Sequence, residues 1–219
     1  MGDLDTGERP HLSRERIVAA AIAFVDRRGL TALTMRRLGT ELGVEAMSLY
    51  RYVAGRDDLL EGMVDQLVEQ LHLDPSGGRP GPDDSWQAYL QWLAHGVRQL
   101  VQEHPHAFPL IATRHPAAPW LRPPLRGLGV VEDFLSTLVA RGFTDDGAVA
   151  AYRAFSSFLL GHLLLEAAML GSRPVPAVDL RDFPVLRRLE DRLSQDHAAA
   201  EFERALEDLL DGLERDLPG

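Results

Sequence analysis

Residues 34–56, TMRRLGTELGVEAMSLYRYVAGR, gather side chains suited to holding phosphate. Arg36, Arg37, Arg51 and Arg56 carry planar guanidinium forks that match paired phosphate oxygens, and Tyr50 and Tyr52 add phenolic donors. Thr34 heads the segment with a hydroxyl, and Ala46, Met47 and Ser48 make a small, mostly apolar edge. An edge of that kind lets a helix approach a groove closely enough for thymine-methyl contact, while Arg36 reaches a guanine edge or a phosphate. Two neighbours have equally simple readings: Arg37 serves as well in a surface ion pair, and Glu45 suits the first turn of a helix through its charge alone.

Other chemistries find less support. His104 and His106 are the closest histidine pair, but Pro105 between them marks a helix junction and not a ligand-bearing helix, so no metal site and no cofactor is expected. Cysteine is absent, which excludes disulfides, thiolate zinc and a cysteine nucleophile. Ser156 and His162 can be combined with an acid on paper, yet no strand-turn-helix elbow accompanies them, and an enzyme is not expected.

Hydrophobic spacing is helical nearly throughout, so the elements that position these groups belong to an all-α fold. Ser13 caps a first helix near 14–28, whose Ile17, Ala20, Ala21, Phe24 and Val25 share one face, and Gly29 ends it. Thr34 caps a second helix to 42, Gly43 makes the turn, and a third helix is predicted over 45–53. Leu38, Leu42, Val44, Leu49 and Val53 form the expected internal core of this pair. Asp57 and Asp58 suit the first turn of a fourth helix running to about 72, where acids complement the helix dipole. Two short helices joined by a glycine turn make a helix-turn-helix at 34–53.

The Pro- and Gly-rich stretch at 74–84 separates an N-terminal domain, 12–71, from a larger one, 85–217. Helices are predicted there near 85–103, 105–113, 123–141, 144–171, 183–194 and 198–216. The chain's net charge of −10 hides an asymmetry: residues 9–56 hold nine Arg against four acids, and residues 57–219 hold 14 Arg against 26 acids. A basic head on an acidic body is the distribution expected if only the head meets phosphate. The start MGDLDTGERPHLSRER has no apolar leader core and no run approaches roughly 18 uninterrupted apolar residues, so a cytoplasmic protein without membrane contact is expected.

The stretch TMRRLGTELGVEAMSLYRYVAGRDDLL resembles the DNA-binding signature of the tetracycline-repressor (TetR) family, over residues 12–71, with a weaker likeness of residues 202–217 to that family's last helix. The resemblance implies DNA contacts by Thr34, Arg36, Arg37, Ala46, Met47, Ser48, Tyr50, Arg51, Tyr52 and Arg56. It implies a homodimer on a palindromic operator, with Phe158, Leu159, His162, Leu165, Phe202, Leu206, Leu209 and Leu213 at the interface, and a small apolar effector in the body. Gln91, Trp92, His95 and Arg98, within three turns of one helix, are the candidate pocket residues. IATRHP at 111–116 resembles the turn that helps hold a magnesium-drug chelate in that family, but Pro109 stands near the place of the expected histidine, which argues against tetracycline itself. A ligand-responsive repressor is the leading reading. An activator, a ligand-independent DNA binder, a helical enzyme and a structural dimer are the alternatives.

Overall fold

A computed structural model describes residues 11–73, 78–81, 84–114, 118–171, 178–195 and 197–215, and every regular element among them is helical. The chain divides into two compact units, residues 1–70 and 71–219. Parts of the 74–84 connection and of the 171–182 loop, and His115 and Pro116 of the IATRHP stretch, lie outside the described residues.

The N-terminal unit begins with α1 (Arg14–Arg28), where the Ser13 hydroxyl accepts the Arg16 amide and Gly29 follows at φ 78°. A 3₁₀ turn, Leu30–Ala32, leads to α2 (Met35–Leu42), capped by the Thr34 hydroxyl on the Arg37 amide. Gly43 then takes the left-handed conformation, φ 69°, that a residue without Cβ adopts at little cost. The next helix, α3, spans only Ala46–Leu49 and gives way to turns, and α4 runs from Arg56 to Leu73. Ile17, Ala21, Phe24 and Val25 of α1 are buried, as are Leu38, Leu49, Val53, Leu59, Met63 and Leu67. Leu42 and Val44 are only half-buried, since a unit this small has little interior to offer the turn.

Among the described residues the second unit holds six helices: α5 (Trp86–Glu103), α6 (Phe108–Thr113), α7 (Leu128–Ala140), α8 (Asp145–Leu170), α9 (Pro184–Leu193) and α10 (Ala198–Arg215). Capping fixes two of the starts, with the Ser85 hydroxyl accepting the Ala88 amide and Thr144 accepting Gly147. Helix α8 is the hub and packs against α5, α6, α7 and α10. By length and composition it is apolar enough to cross a membrane, but Tyr152, Phe155, Leu159 and Leu163 are core residues of this unit.

Two predicted helix starts move. The helix expected from 123 begins at 128, because Arg122 and Pro123 each precede a proline, which disfavours the helical conformation there, and residues 122–125 form a tight turn instead. Tyr152 holds that turn by accepting the Arg122 amide at 2.6 Å and donating to the Leu125 carbonyl at 3.1 Å. The helix expected from 105 begins at 108, where the Phe108 amide bonds back to the His104 carbonyl.

One ion pair sits among this packing. Arg98 of α5 meets the Glu166 carboxylate of α8 through Nε and Nη2, at 2.9 and 3.0 Å, and Gln102 donates to the same carboxylate. The two charged side chains are only 14% and 10% exposed. Removing Glu166 takes away the bidentate partner but leaves Arg98 a second acid, Glu203, whose Oε1 lies 3.8 Å from Nη1. Glu166→Ala is therefore expected to cost about 1–3 kcal/mol, read as a lower urea midpoint at unchanged slope; a loss under about 1 kcal/mol, the range of exposed pairs, would contradict the burial.

Candidate nucleic-acid interface

Helix α3 has four residues, too few to hold a conformation or a direction unaided. Its setting comes from its neighbours. Leu49 and Val53, one turn apart, are 0% and 1% exposed and anchor its inner side. On α2, Gly39 faces the turn so closely that an added Cβ would lie 2.9 Å from the Val44 carbonyl oxygen and 3.2 Å from the Ala46 Cα. Both contacts are with backbone, so the two helices can cross at this distance only over glycine.

A second support comes from outside the helix pair. Arg14, the first residue of α1, forks onto Asp58 of α4, with Nη1–Oδ2 at 2.8 Å and Nη2–Oδ1 at 2.7 Å. The same Nη1 donates to the Tyr52 carbonyl at 3.3 Å, and Asp58 Oδ2 also accepts the Ala54 amide at 2.7 Å. Residues 52–54, the exit of the recognition segment, are thus bonded to both flanking helices. Neither member was singled out for this part from sequence: Asp58 read as a dipole-compensating acid, and a partner 44 residues away leaves no local pattern.

These fixtures leave an outward surface composed of the expected phosphate-binding groups. Thr34, Arg36, Arg37, Met47, Tyr50, Arg51 and Arg56 are exposed, and Ala46, Ser48 and Tyr52 are half-buried. Met47 is 74% exposed. Two residues of the set have internal work as well: the Thr34 hydroxyl caps α2, and Arg37 donates to the Ala32 carbonyl at 3.2 Å. The predicted helix over 45–53 is shorter than expected, because its residues after Leu49 turn towards α4, and Tyr50, Arg51 and Tyr52 are presented from turns.

The proposed pocket and interface residues fare differently. Gln91 is exposed, Trp92 stacks on Tyr89 with centroids 6.0 Å apart, His95 Nε2 lies 3.6 Å from Glu203, and Arg98 is committed to Glu166. Helical spacing put the four on one helix, and His95 and Arg98 turn to the same side of it, both towards Phe202 and Glu203. Among the described residues lie a cleft of about 470 Å³ between Arg79, Asp84, Tyr89, Thr137 and Arg141 and another of about 390 Å³ beside Trp120, Leu128 and Leu135. Of the interface candidates, Leu159, Phe202, Leu206 and Leu213 are buried by their own chain, Phe158, His162 and Leu209 are half-buried, and Leu165 is 65% exposed. Apolar periodicity marks residues that seek cover without saying which neighbour provides it, and here α5, α8 and α10 cover one another first.

Comparison with known proteins bears on both units. Residues 17–63 match the sequence model described as bacterial regulatory proteins, tetR family, and residues 79–217 match that of the tetracyclin repressor-like C-terminal domain. The chain is 32% identical over 155 residues to the HTH-type transcriptional repressor DrrR1 of Streptomyces coeruleorubidus, a match that spans 71% of this chain and 54% of that protein. It is 29% identical to the tetracycline repressor protein class D of Escherichia coli across 93% of this chain and 89% of the relative. The fold is similar to that of the Streptomyces coelicolor protein ActR in its complex with (S)-DNPA, with a TM-score of 0.69 and 25% identity over 95% of this chain and 100% of the other.

The electrostatics of the Arg14–Asp58 pair give a pH signature. The Arg14 guanidinium, helped by the Ala54 amide, lowers the Asp58 carboxyl from 3.8 to about 2. A carboxyl depressed in the folded state contributes stability that is complete above its unfolded value and is lost as pH falls through its folded value. The melting-temperature deficit of Asp58→Asn is therefore expected to be constant from roughly pH 5 to 8 and to shrink between pH 4 and 2; a deficit that changes between pH 6 and 8 would assign the effect to another group.

Proposed function

Because the chain belongs to the tetR family of bacterial regulatory proteins, it is a DNA-binding transcription regulator, and we propose that it acts as a ligand-responsive homodimeric repressor on a palindromic operator. The observation that carries this reading is the outward surface of the helix-turn-helix, where Arg36, Arg51, Arg56 and Tyr50 surround the apolar edge of α3. Arginine forks and a phenol on the perimeter supply phosphate contacts that fix register, and Ala46, Met47 and Ser48 at the centre meet the bases. With Met47 in place of a longer polar residue, discrimination rests on methyl contact and groove shape more than on base hydrogen bonds.

Dimerisation follows from the geometry of operators. Two recognition segments related by a two-fold axis read half-sites one helical turn apart, so a palindrome reports a dimer. Leu165, Met169 and Leu170 on α8, at 65%, 65% and 53% exposure, offer apolar surface for a second copy. The relatives named as repressors, and the ActR complex with (S)-DNPA, support a ligand-responsive repressor. Release of DNA by such an effector requires that it bind one dimer geometry more tightly than the other. A protein working on DNA in this way is cytoplasmic.

The test is operator binding as a function of salt. Arg36→Ala and Tyr50→Phe are each expected to weaken operator binding by about 1–3 kcal/mol, and loss of a phosphate contact is expected to reduce the salt slope by about one unit. Wild-type affinity and slope in both variants would remove these residues from the interface, and affinity indifferent to salt altogether would contradict DNA binding through the basic unit.

A further inference from the structure

The recognition segment is held at its buried side by packing and at its exit by charge, and the exit is the less protected of the two. Tyr50 to Ala54 contain no regular helix. Their backbone is fixed by the Tyr52 and Val53 amides bonding back to Leu49, by the Tyr52 carbonyl receiving Arg14, and by the Ala54 amide donating to Asp58. Asp58 in turn takes both arms of Arg14, so a single carboxylate connects α1, the exit turn and α4. Tyr50, Arg51 and Arg56, three of the outward groups, stand on or beside the turn that this carboxylate secures.

We propose that the Arg14–Asp58 pair is the positioning device of the DNA interface, setting the exit of α3 and the start of α4 as one rigid piece so that specific operator binding depends on two residues that need not touch DNA. The proposal rests on the regulator reading given above. Both side chains remain partly exposed, 39% and 34%, which keeps the pair a modest contributor to overall stability while leaving its geometric effect intact. Guanidinium and carboxylate meet in the bidentate geometry that fixes orientation as well as distance, which a lysine's point charge would not reproduce.

The sign of one substitution separates this role from simple electrostatics. Asp58 is an acid in a unit that approaches phosphate, so removing its charge without a positioning role would strengthen DNA binding. Asp58→Asn keeps the size of the side chain and an oxygen for the Ala54 amide but loses the ionic fork. If the pair positions the interface, full-length Asp58→Asn and Arg14→Met each bind a selected operator about tenfold more weakly while affinity for random-sequence DNA stays within about twofold. The double variant loses no more than the worse single one, because both remove the same contact. Arg14→Lys falls between. Operator affinity equal to or above wild type in Asp58→Asn, additive losses in the double variant, or equal losses on operator and random DNA would each overturn the proposal.

Amide hydrogen exchange of the same full-length proteins, without DNA, reads the clamp independently of the regulator reading. Faster exchange confined to residues 50–56 in Asp58→Asn and Arg14→Met supports it, and exchange unchanged there, or raised across the whole N-terminal unit, contradicts it. Failure of the wild-type protein to select any DNA would therefore sink the regulator reading, while the exchange measurement still decides whether the clamp exists.

Discussion

A four-residue helix cannot keep its own direction, and the N-terminal unit is organised around that constraint. Each support for α3 removes a different freedom. Leu49 and Val53 fix which side faces in, and the absent side chain at Gly39 sets how near α2 can pass. The exit is held by ionic and backbone hydrogen bonds from α1 and α4. A longer helix would need fewer of these, since its own hydrogen bonds would carry its direction. The short helix gives in exchange a compact, small-residue edge flanked by turns, from which Tyr50 and Arg51 project.

The second unit solves a different problem. Its central helix, α8, is covered on several sides, and a largely buried charge pair, Arg98 with Glu166, joins it to α5. Such a pair contributes little net stability compared with apolar residues of the same shape, but it penalises any register in which the two helices slide apart. Apolar surface left over is concentrated at the end of α8 and on α9, where Val185, Leu186 and Leu193 are exposed. A surface of that kind is in keeping with a chain that completes its packing with another copy.

What could be read in advance follows from the range of each interaction. Helix limits set by neighbours in sequence were legible: Ser13 and Thr34 accept amides three residues ahead, and Gly29 and Gly43 end their helices. The composition of the DNA-facing segment was equally plain, because four arginines and two tyrosines within 21 residues on one short stretch have few other uses. The length of α3 was not, since its truncation depends on Asp58 and Arg14 drawing the exit turn towards other helices. Phe202 and Leu206 show the same limit from the other direction: the resemblance placed them at an interface between copies, and α10 buries them within their own chain. The Arg98–Glu166 pair left no local pattern for the same reason, its members lying 68 residues apart.

The central claim is that a basic helix-turn-helix, presented twice by a two-fold dimer, reads symmetric DNA. Sequencing DNA fragments selected by the purified full-length protein from a random pool tests it most directly. Enrichment of an inverted repeat whose half-sites are centred about 10 base pairs apart, or a multiple of that, is the predicted result. A selected pool with no enriched motif, or with a single motif lacking two-fold symmetry, would contradict the account.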